Sequence, residues 1–302
     1  MDLLIADNSV PAASRDVIPT TGTPQWATDG NPTSSPVIPA TSFPAAHYNM
    51  LMAELYNVVL AAGIEPDGKD WNQVYKAIKS MFNGGRLLKV REFTSSGTYV
   101  PTAGTSLIKV RGCGAGGPGG YAFPNPTSGN VSAAGGGGAG AECEFWLVVT
   151  DQTSIAVTIG AAAAAVASSE QNTGGASSFG IYATLGAGSG GIAGASIAGN
   201  SGAVAALGAG GQVLVWNDAA MLYPVFRKTG MPGTTGVCVF GSNSPGFGGV
   251  TAFGAPSFNS NNGAGTTGIG YGGGGTGGGS NSSTGFIGAE GEPGFFIVEE
   301  YS

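Results

Sequence analysis

The stretch from Leu107 to Gly120, LIKVRGCGAGGPGG, turns an alternating β pattern into a glycine-dominated run, and runs of the same kind recur almost to the C-terminus. With 57 glycines among 302 residues, against roughly 7% in ordinary proteins, the fold has to rest on close approach of backbones. Glycine loses more backbone freedom on ordering than any other residue, roughly 0.5–1 kcal/mol relative to alanine in regular elements. Over so many glycines the cost is on the order of tens of kcal/mol, against a net domain stability of about 5–15 kcal/mol. Dense backbone hydrogen bonding is therefore required, and burial between subunits would add to it. Such a chain suits a structural or adhesive molecule better than an enzyme.

Gly112, Gly114 and Gly117 formally match GxGxxG after an apolar strand pattern, as a dinucleotide site would. A helix N-terminus would have to follow to hold the pyrophosphate. Pro118, two more glycines and the turn-rich YAFPNPTSGN follow instead, so no nucleotide cofactor is expected.

Only 10% of the chain is charged, with a formal net charge of −7. That balance opposes nucleic acid and anionic membranes, which call for clustered Lys and Arg. The N-terminal MDLLIADNSVP lacks a basic region followed by an apolar core, and the apolar run at Ala161 is too short to span a bilayer. No signal peptide and no membrane insertion are expected. Cys113, Cys143 and Cys238 are odd in number and widely spaced, and His47 is the lone histidine; buried free thiols and no metal site follow. No GxSxG or Walker pattern is present, so no catalytic residue is assigned. Glu142 and Glu144 share one face of a strand, where a solvated face is expected.

In chain order, residues 1–41 read as an extended arm broken by Pro11, Pro19, Pro24, Pro32, Pro36 and Pro39, with apolar beads from Leu3 to Ile38. Ser42 as N-cap and Pro44 in the first turn open a helix that Gly63 stops. Asp70 and Gln73 have capping-box spacing for a second helix, ended by Asn83, Gly84 and Gly85. The short link makes residues 42–86 an antiparallel hairpin. Its stripes, containing Leu51, Leu55, Val58, Trp71, Val74 and Ile78, are too large for two helices to cover, so self-association about a symmetry axis is expected. From Leu87 the period changes to two, and residues 87–302 read as antiparallel β-structure. Strands are expected at Leu87–Phe93, Thr105–Arg111, Ala141–Val149, Thr153–Ile159, Ser177–Thr184, Gln212–Trp216, Gly236–Phe240 and Gly294–Tyr301. The glycine spacing excludes a collagen triple helix, while short extended glycine segments packed side by side remain open. The fold class is mainly β: arm, helical hairpin, then a glycine-rich antiparallel β domain.

Two stretches carry a resemblance. TSSGTYVPTAGTSLIKVRGCGAGGPGGYA, GGGGAGAECEFWLVVTDQTSIAVTIGA, GGASSFGIYATLGAGSGG and the closing GEPGFFIVEEYS resemble the glycine-rich C-terminal domain of bacteriophage tail fibre and receptor-binding proteins. IPATSFPAAHYNMLMAELYNVVLAAGIEPDGKDWNQVYKAIKSMF is similar to the segment ahead of the fibre domain in Mu-like and related phages. The resemblance implies a homotrimer at the distal tail or baseplate of a virion, made in the host cytoplasm and joined to other tail proteins through the arm. It implies recognition of a bacterial surface receptor, whether pilus, outer-membrane protein or glycan. A structural tail component without receptor binding, a secreted glycine-rich surface protein and a polysaccharide-cleaving tail spike stay open as alternatives.

Residues 211–262 interrupt the glycine pattern with aromatics. Exposed loops carry recognition, and aromatic and Arg side chains supply most hot-spot energy. Trp216, Tyr223, Phe226, Arg227 and Lys228 are therefore the expected receptor-binding residues, with MLYPVFRK as a loop tip.

Overall fold

In the computed structural model the described residues are 31, 33, 35–37, 45–83, 85–150, 153–256 and 261–302. The chain divides into two compact units, Met1–Arg86 and Leu87–Ser302, and each is described by itself. The arm expected over residues 1–41, Ser42 and Pro44 lie wholly or almost wholly outside the described residues.

The first unit contains two helices, α1 (Ala45–Ala61) and α2 (Gln73–Asn83). Gly63, at φ +71°, ends α1: Ile64 N–H donates to the Val59 carbonyl at 3.2 Å and Gly63 N–H to that of Leu60 at 2.9 Å, the paired bonds of a left-handed helix stop. The capping box expected at α2 does not form. Asp70 accepts from Asn72 N–H at 3.0 Å, but the Gln73 amide donates to the Glu65 carbonyl at 3.2 Å, bracing the interhelical loop instead of the cap. Val59 and Ala77 are fully buried, whereas Leu51, Trp71 and Ile78 are exposed and Leu55, Val58 and Val74 are half-buried.

The second unit begins with β1 (Leu87–Phe93), β2 (Gly97–Tyr99), β3 (Leu107–Cys113), β4 (Ser132–Ala133), β5 (Glu142–Val148) and β6 (Ile155–Thr158). There follow β7 (Ser177–Phe179), β8 (Ala183–Leu185), β9 (Gly202–Ala205), β10 (Val213–Trp216) and β11 (Tyr223–Lys228). The last are β12 (Gly236–Val239), β13 (Ser242–Ser244), β14 (Gly254–Ala255), β15 (Ile269–Gly270), β16 (Gly279–Ser280) and β17 (Phe295–Tyr301). The strand expected over Ser177–Thr184 is a hairpin, β7 and β8, turned at Gly180 with φ +51°.

Two antiparallel sheets, β1-β17-β3-β5-β11 and β10-β8-β7-β6-β2, pack into a sandwich. The alternation seen in the sequence sends Ile108, Val110, Phe145, Leu147, Phe296 and Val298 inward from one sheet to meet Tyr99, Ile155, Phe179 and Leu185 from the other. Phe179 lies at the centre, 6.0 Å from Phe145 and 5.6 Å from Phe296 between ring centroids. Burying each such side chain contributes roughly 1.5–3 kcal/mol.

Beyond the sandwich most of the glycine-run backbone lies in neither β-sheet nor α-helix. Residues 134–141, all buried, are a central rod. Gly135 N–H donates to Ile192, Gly136 to Thr234 and Gly137 to Gly275; Gly138 then returns to the first neighbour at Ser189, Ala139 to Met231 and Gly140 to Gly272, all at 2.8–3.0 Å. A donor that rotates through three neighbours and repeats every third residue is a threefold, polyproline-II-like helix, whose backbone groups all point outward. The rod's carbonyls are claimed from three further directions: Gly117 and Gly120 donate to Gly138 and Gly135, Gly208 and Gly211 to Gly136 and Ala139, and Gly246 and Gly249 to Ala134 and Gly137. Six extended segments, 114–122, 186–194, 205–212, 230–236, 245–251 and 272–279, thus surround one. Pro118 is buried among them, since its fixed φ suits this helix and only its missing N–H has to be tolerated. The segment after Gly112-x-Gly114 is one of these rods, so no helix N-terminus follows the GxGxxG match.

Candidate functional site: the far end of the glycine lattice

The lattice grows directly out of the sandwich. β3 runs into 114–122, the central rod into β5, β8 into 186–194, 205–212 into β10, and β11 leads to 230–236. The connections 123–133, 195–204, 237–244 and 280–286 consequently gather at the end of the lattice away from the sandwich.

These connections are pinned to one another by uncharged groups. Val131 and Ile197 exchange backbone hydrogen bonds at 3.0 Å. Asn243, 4% exposed, donates through Nδ2 to the Ser132 carbonyl at 2.9 Å. Asn125 donates to Ser132 Oγ at 3.2 Å and to the Ser280 carbonyl at 2.9 Å, and Ser280 Oγ donates to the Thr284 carbonyl at 2.6 Å. Val131, Ala133, Cys238 and Ile197 form a small apolar cluster beneath. These buried hydrogen bonds hold the connections in a single arrangement, although Asn125 Oδ1 itself has no partner.

No Asp, Glu, Lys, Arg or His occurs in 123–133, 195–204, 237–244 or 280–286. The charges of this unit sit largely at the sandwich, in pairs: Arg91–Glu300 at 2.8 Å, Lys109–Glu144 at 3.1 Å, Lys228–Glu142 at 3.3 Å and Arg111–Glu299 at 3.4 Å. Glu142 corrects the expectation of a solvated carboxylate: it is 2% exposed and also accepts from Ala252 N–H at 3.2 Å. Burial pushes the Cys113 and Cys143 thiols far above their ordinary range, with the Glu142 charge adding to the effect at Cys113. Among the described residues no His, Cys, Asp and Glu group of metal-binding size is found, and no helix is long and apolar enough to cross a membrane.

The receptor residues expected from the sequence lie at the sandwich, and the loop tip expected at MLYPVFRK is an edge strand. β11 pairs with β5 in the register Tyr223 with Trp146, Pro224 with Phe145, Phe226 with Glu144, Arg227 with Cys143 and Lys228 with Glu142, with a bulge at Val225. Proline is tolerated there because one side of an edge strand has no partner. The bulge puts Tyr223, Phe226 and Lys228 on the outer face beside Trp146, while Arg227 falls on the inner side. Its guanidinium lies 6.0 Å from the Trp216 ring centroid, and Trp216 itself packs edge-on against Phe145 at 5.7 Å. Tyr223 and Phe226 are thus brought together, Arg227 and Trp216 form a separate stack, and Lys228 is held by Glu142.

Phe240, expected as the last residue of the strand Gly236–Phe240 and one of the aromatics of 211–262, was not among the residues singled out for receptor binding. It is 79% exposed at the two-residue turn joining β12 to β13, with φ +46° followed by Gly241 at +77°. Its signal was legible: a Phe-Gly pair between short β-patterned runs within a charge-free stretch.

No curated protein matches the chain. The family model of the glycine-rich domain matches residues 93–299, more than half of the sequence and nearly all of the sandwich and lattice, so the chain belongs to the glycine-rich domain family.

Proposed function

We propose that this chain is the receptor-binding protein of a phage tail fibre or baseplate, an adhesin that attaches the virion to a bacterial surface. The observation that carries the reading is the far end of the lattice: connections from distant parts of the chain, pinned together and free of charge, on a block whose cohesion is backbone hydrogen bonding. Recognition residues belong on variable loops held by a rigid scaffold, and this architecture separates the two. Amide, hydroxyl, aromatic and backbone groups at that end can bind a surface without transferring protons, which suits adhesion. The arm would join other tail proteins, and the exposed apolar side chains of α1 and α2 would hold a homotrimer.

Purified protein should block adsorption of its phage to host cells, and should do so as well when Tyr223 and Arg227 are both replaced by alanine. Failure of the wild-type protein to compete would overturn the adhesin reading. Loss of competition in the folded double variant would return the site to β11.

A further inference from the structure

Resting on the adhesin reading, we propose that the free edge of β9, at the lattice end, pairs through its main chain with an extended, small-residue polypeptide segment of a protein receptor. The groove that takes it opens where a hydrogen-bond ladder stops. Ser189 N–H donates to the Ala209 carbonyl and Ile192 N–H to that of Ala206, so the threefold period aims the next N–H of that row, Ala195's, at the Ala203 carbonyl. The rod keeps step that far, since Gly191 donates to Pro118 and Gly194 to Tyr121. The two-residue turn at Phe240 and Gly241, however, makes Val239 and Ser242 a pair that exchanges hydrogen bonds. Alternation then turns Cys238 toward β9, where it pairs with Ala203 and occupies that carbonyl. It also turns the N–H and C=O of Val204 away from β12. Among the described residues, Ala195 N–H and these two groups of Val204 have no partner.

The edge itself selects a polypeptide. An unpaired strand edge is a template for another chain, and folded proteins blunt such edges with charge, proline, bulges or short length. β1 carries Lys89, Arg91 and Glu92, β11 has Pro224 and a bulge, β10 has a bulge, and β2 and β13 are three residues each. β9 is four residues long, Gly202–Ala205, and has no charge, proline or bulge. Beside it lies a groove of ≈ 290 Å³ whose walls include Ala193, Ala195, Ala203 and Ala205, with Ala133 and Cys238. Val204 borders the groove through its main chain, because its side chain shares the face of Val237, opposite Ala203, Ala205 and Cys238. No lining residue carries a hydroxyl, an amide, a charge or an aromatic ring, and Ser196, Asn200 and Ser201, in the connection between the walls, do not line it. A sugar would therefore find neither a ring to stack on nor a polar side chain. Main-chain donors and acceptors at strand spacing remain, the set that strand addition reads, and the alanine walls admit small side chains.

The test uses full-length protein competing with phage for intact host cells. Val204→Pro removes the free N–H without touching a bond to β12, as an edge allows, whereas Val204→Thr keeps that N–H and changes only the side chain on the far face. Ala195→Leu fills the groove from an exposed position. Val204→Pro and Ala195→Leu should each raise the half-inhibitory concentration about tenfold or more, and Val204→Thr less than about twofold. The thermal midpoint and sedimentation should hold in all three; if Val204→Pro does not fold, Ala195→Leu decides alone. Protease-treated cells should no longer capture the protein, whereas periodate-treated cells should. A folded Ala195→Leu protein that competes like wild type, a loss in Val204→Thr equal to that in Val204→Pro, or capture lost to periodate and kept after protease would each overturn the proposal. So would a change of sedimentation in Ala195→Leu, which would make a second copy of this chain the occupant. A wild-type protein that never competes would instead remove the adhesin reading beneath it.

Discussion

Gly137 shows what a single lattice position tolerates. A Cβ built there would overlap the Gly117 carbonyl oxygen, and backbone of 114–122 could not withdraw without breaking its own bonds to the rod. Gly97, in contrast, has nothing within 4 Å of such a Cβ and no positive φ. Gly137→Ala should therefore destabilise the second unit by about 3 kcal/mol or more, through overpacking and lost hydrogen bonds, while Gly97→Ala stays near neutral; urea unfolding of both variants checks this. Glu292 offers a second residue-scale test. It is 9% exposed, its Oε1 lacks a hydrogen-bond partner, and burial raises its pKa above the ordinary carboxylate range. The folded state then holds the proton more tightly than the unfolded one, so stability falls as pH rises from the unfolded value through the folded one. Glu292→Gln should lose that fall and be the more stable protein at pH 7, a difference that denaturation series between about pH 4 and pH 7 would show; equal slopes for the two proteins would contradict it. Little of this was legible in the sequence. That glycine was needed could be read from its abundance, but which carbonyl each one faces depends on segments up to more than a hundred residues away, and Glu142 found its partner Lys228 in the same way.

Elements divide by whether side chains record them. α1, α2 and most of the sandwich strands were legible because burial imposes a period of 3.6 or 2, and β3, β5 and β17 alternate as read, whereas β2 lies in the SSGTYV stretch that reads as a turn. β11 was missed because Pro224 and the bulge at Val225 erase the alternation, and only its place at the sheet edge makes that chemistry acceptable. The glycine rods leave no such trace, since they bury backbone and their threefold period need not appear in the residue types. At this scale the hairpin carries the sharpest test. α1 is apolar over most of its circumference, Trp71 on the short link before α2 is 93% exposed, and Leu51 and Ile78 are close to half exposed. A helix apolar on nearly all sides is ordinarily buried. Leu51→Asp with Ile78→Asp should abolish trimerisation in analytical ultracentrifugation while leaving the far-UV spectrum of each subunit intact, because both side chains are exposed, unlike the fully buried Val59 and Ala77. A wild-type protein that sediments as a monomer at micromolar concentration would remove the trimer from the proposal.

For the second unit as a whole, the continuity of strands into rods matters most. A lattice attached through one flexible link could open by itself, but five of its segments enter or leave the sandwich without an intervening loop of more than a residue or two. Pulling out the central rod would strip donors and acceptors from six neighbours at once and drag β5 from between β3 and β11. Sandwich and lattice should therefore unfold in one transition. Amides that exchange only through global opening report the full unfolding free energy, and those of 135–141 should belong to this class together with β3 and β5, despite lying in a segment with only one apolar side chain type, the alanine methyl. Hydrogen exchange followed by mass spectrometry would decide the point. Peptides covering 135–141 should protect as long as those covering Ile108–Val110, and both should shorten together as urea is added. If the rod exchanged orders of magnitude faster than the strands, the lattice would be a separately melting layer, and its rigidity could no longer support the display of β9 and the connections around it.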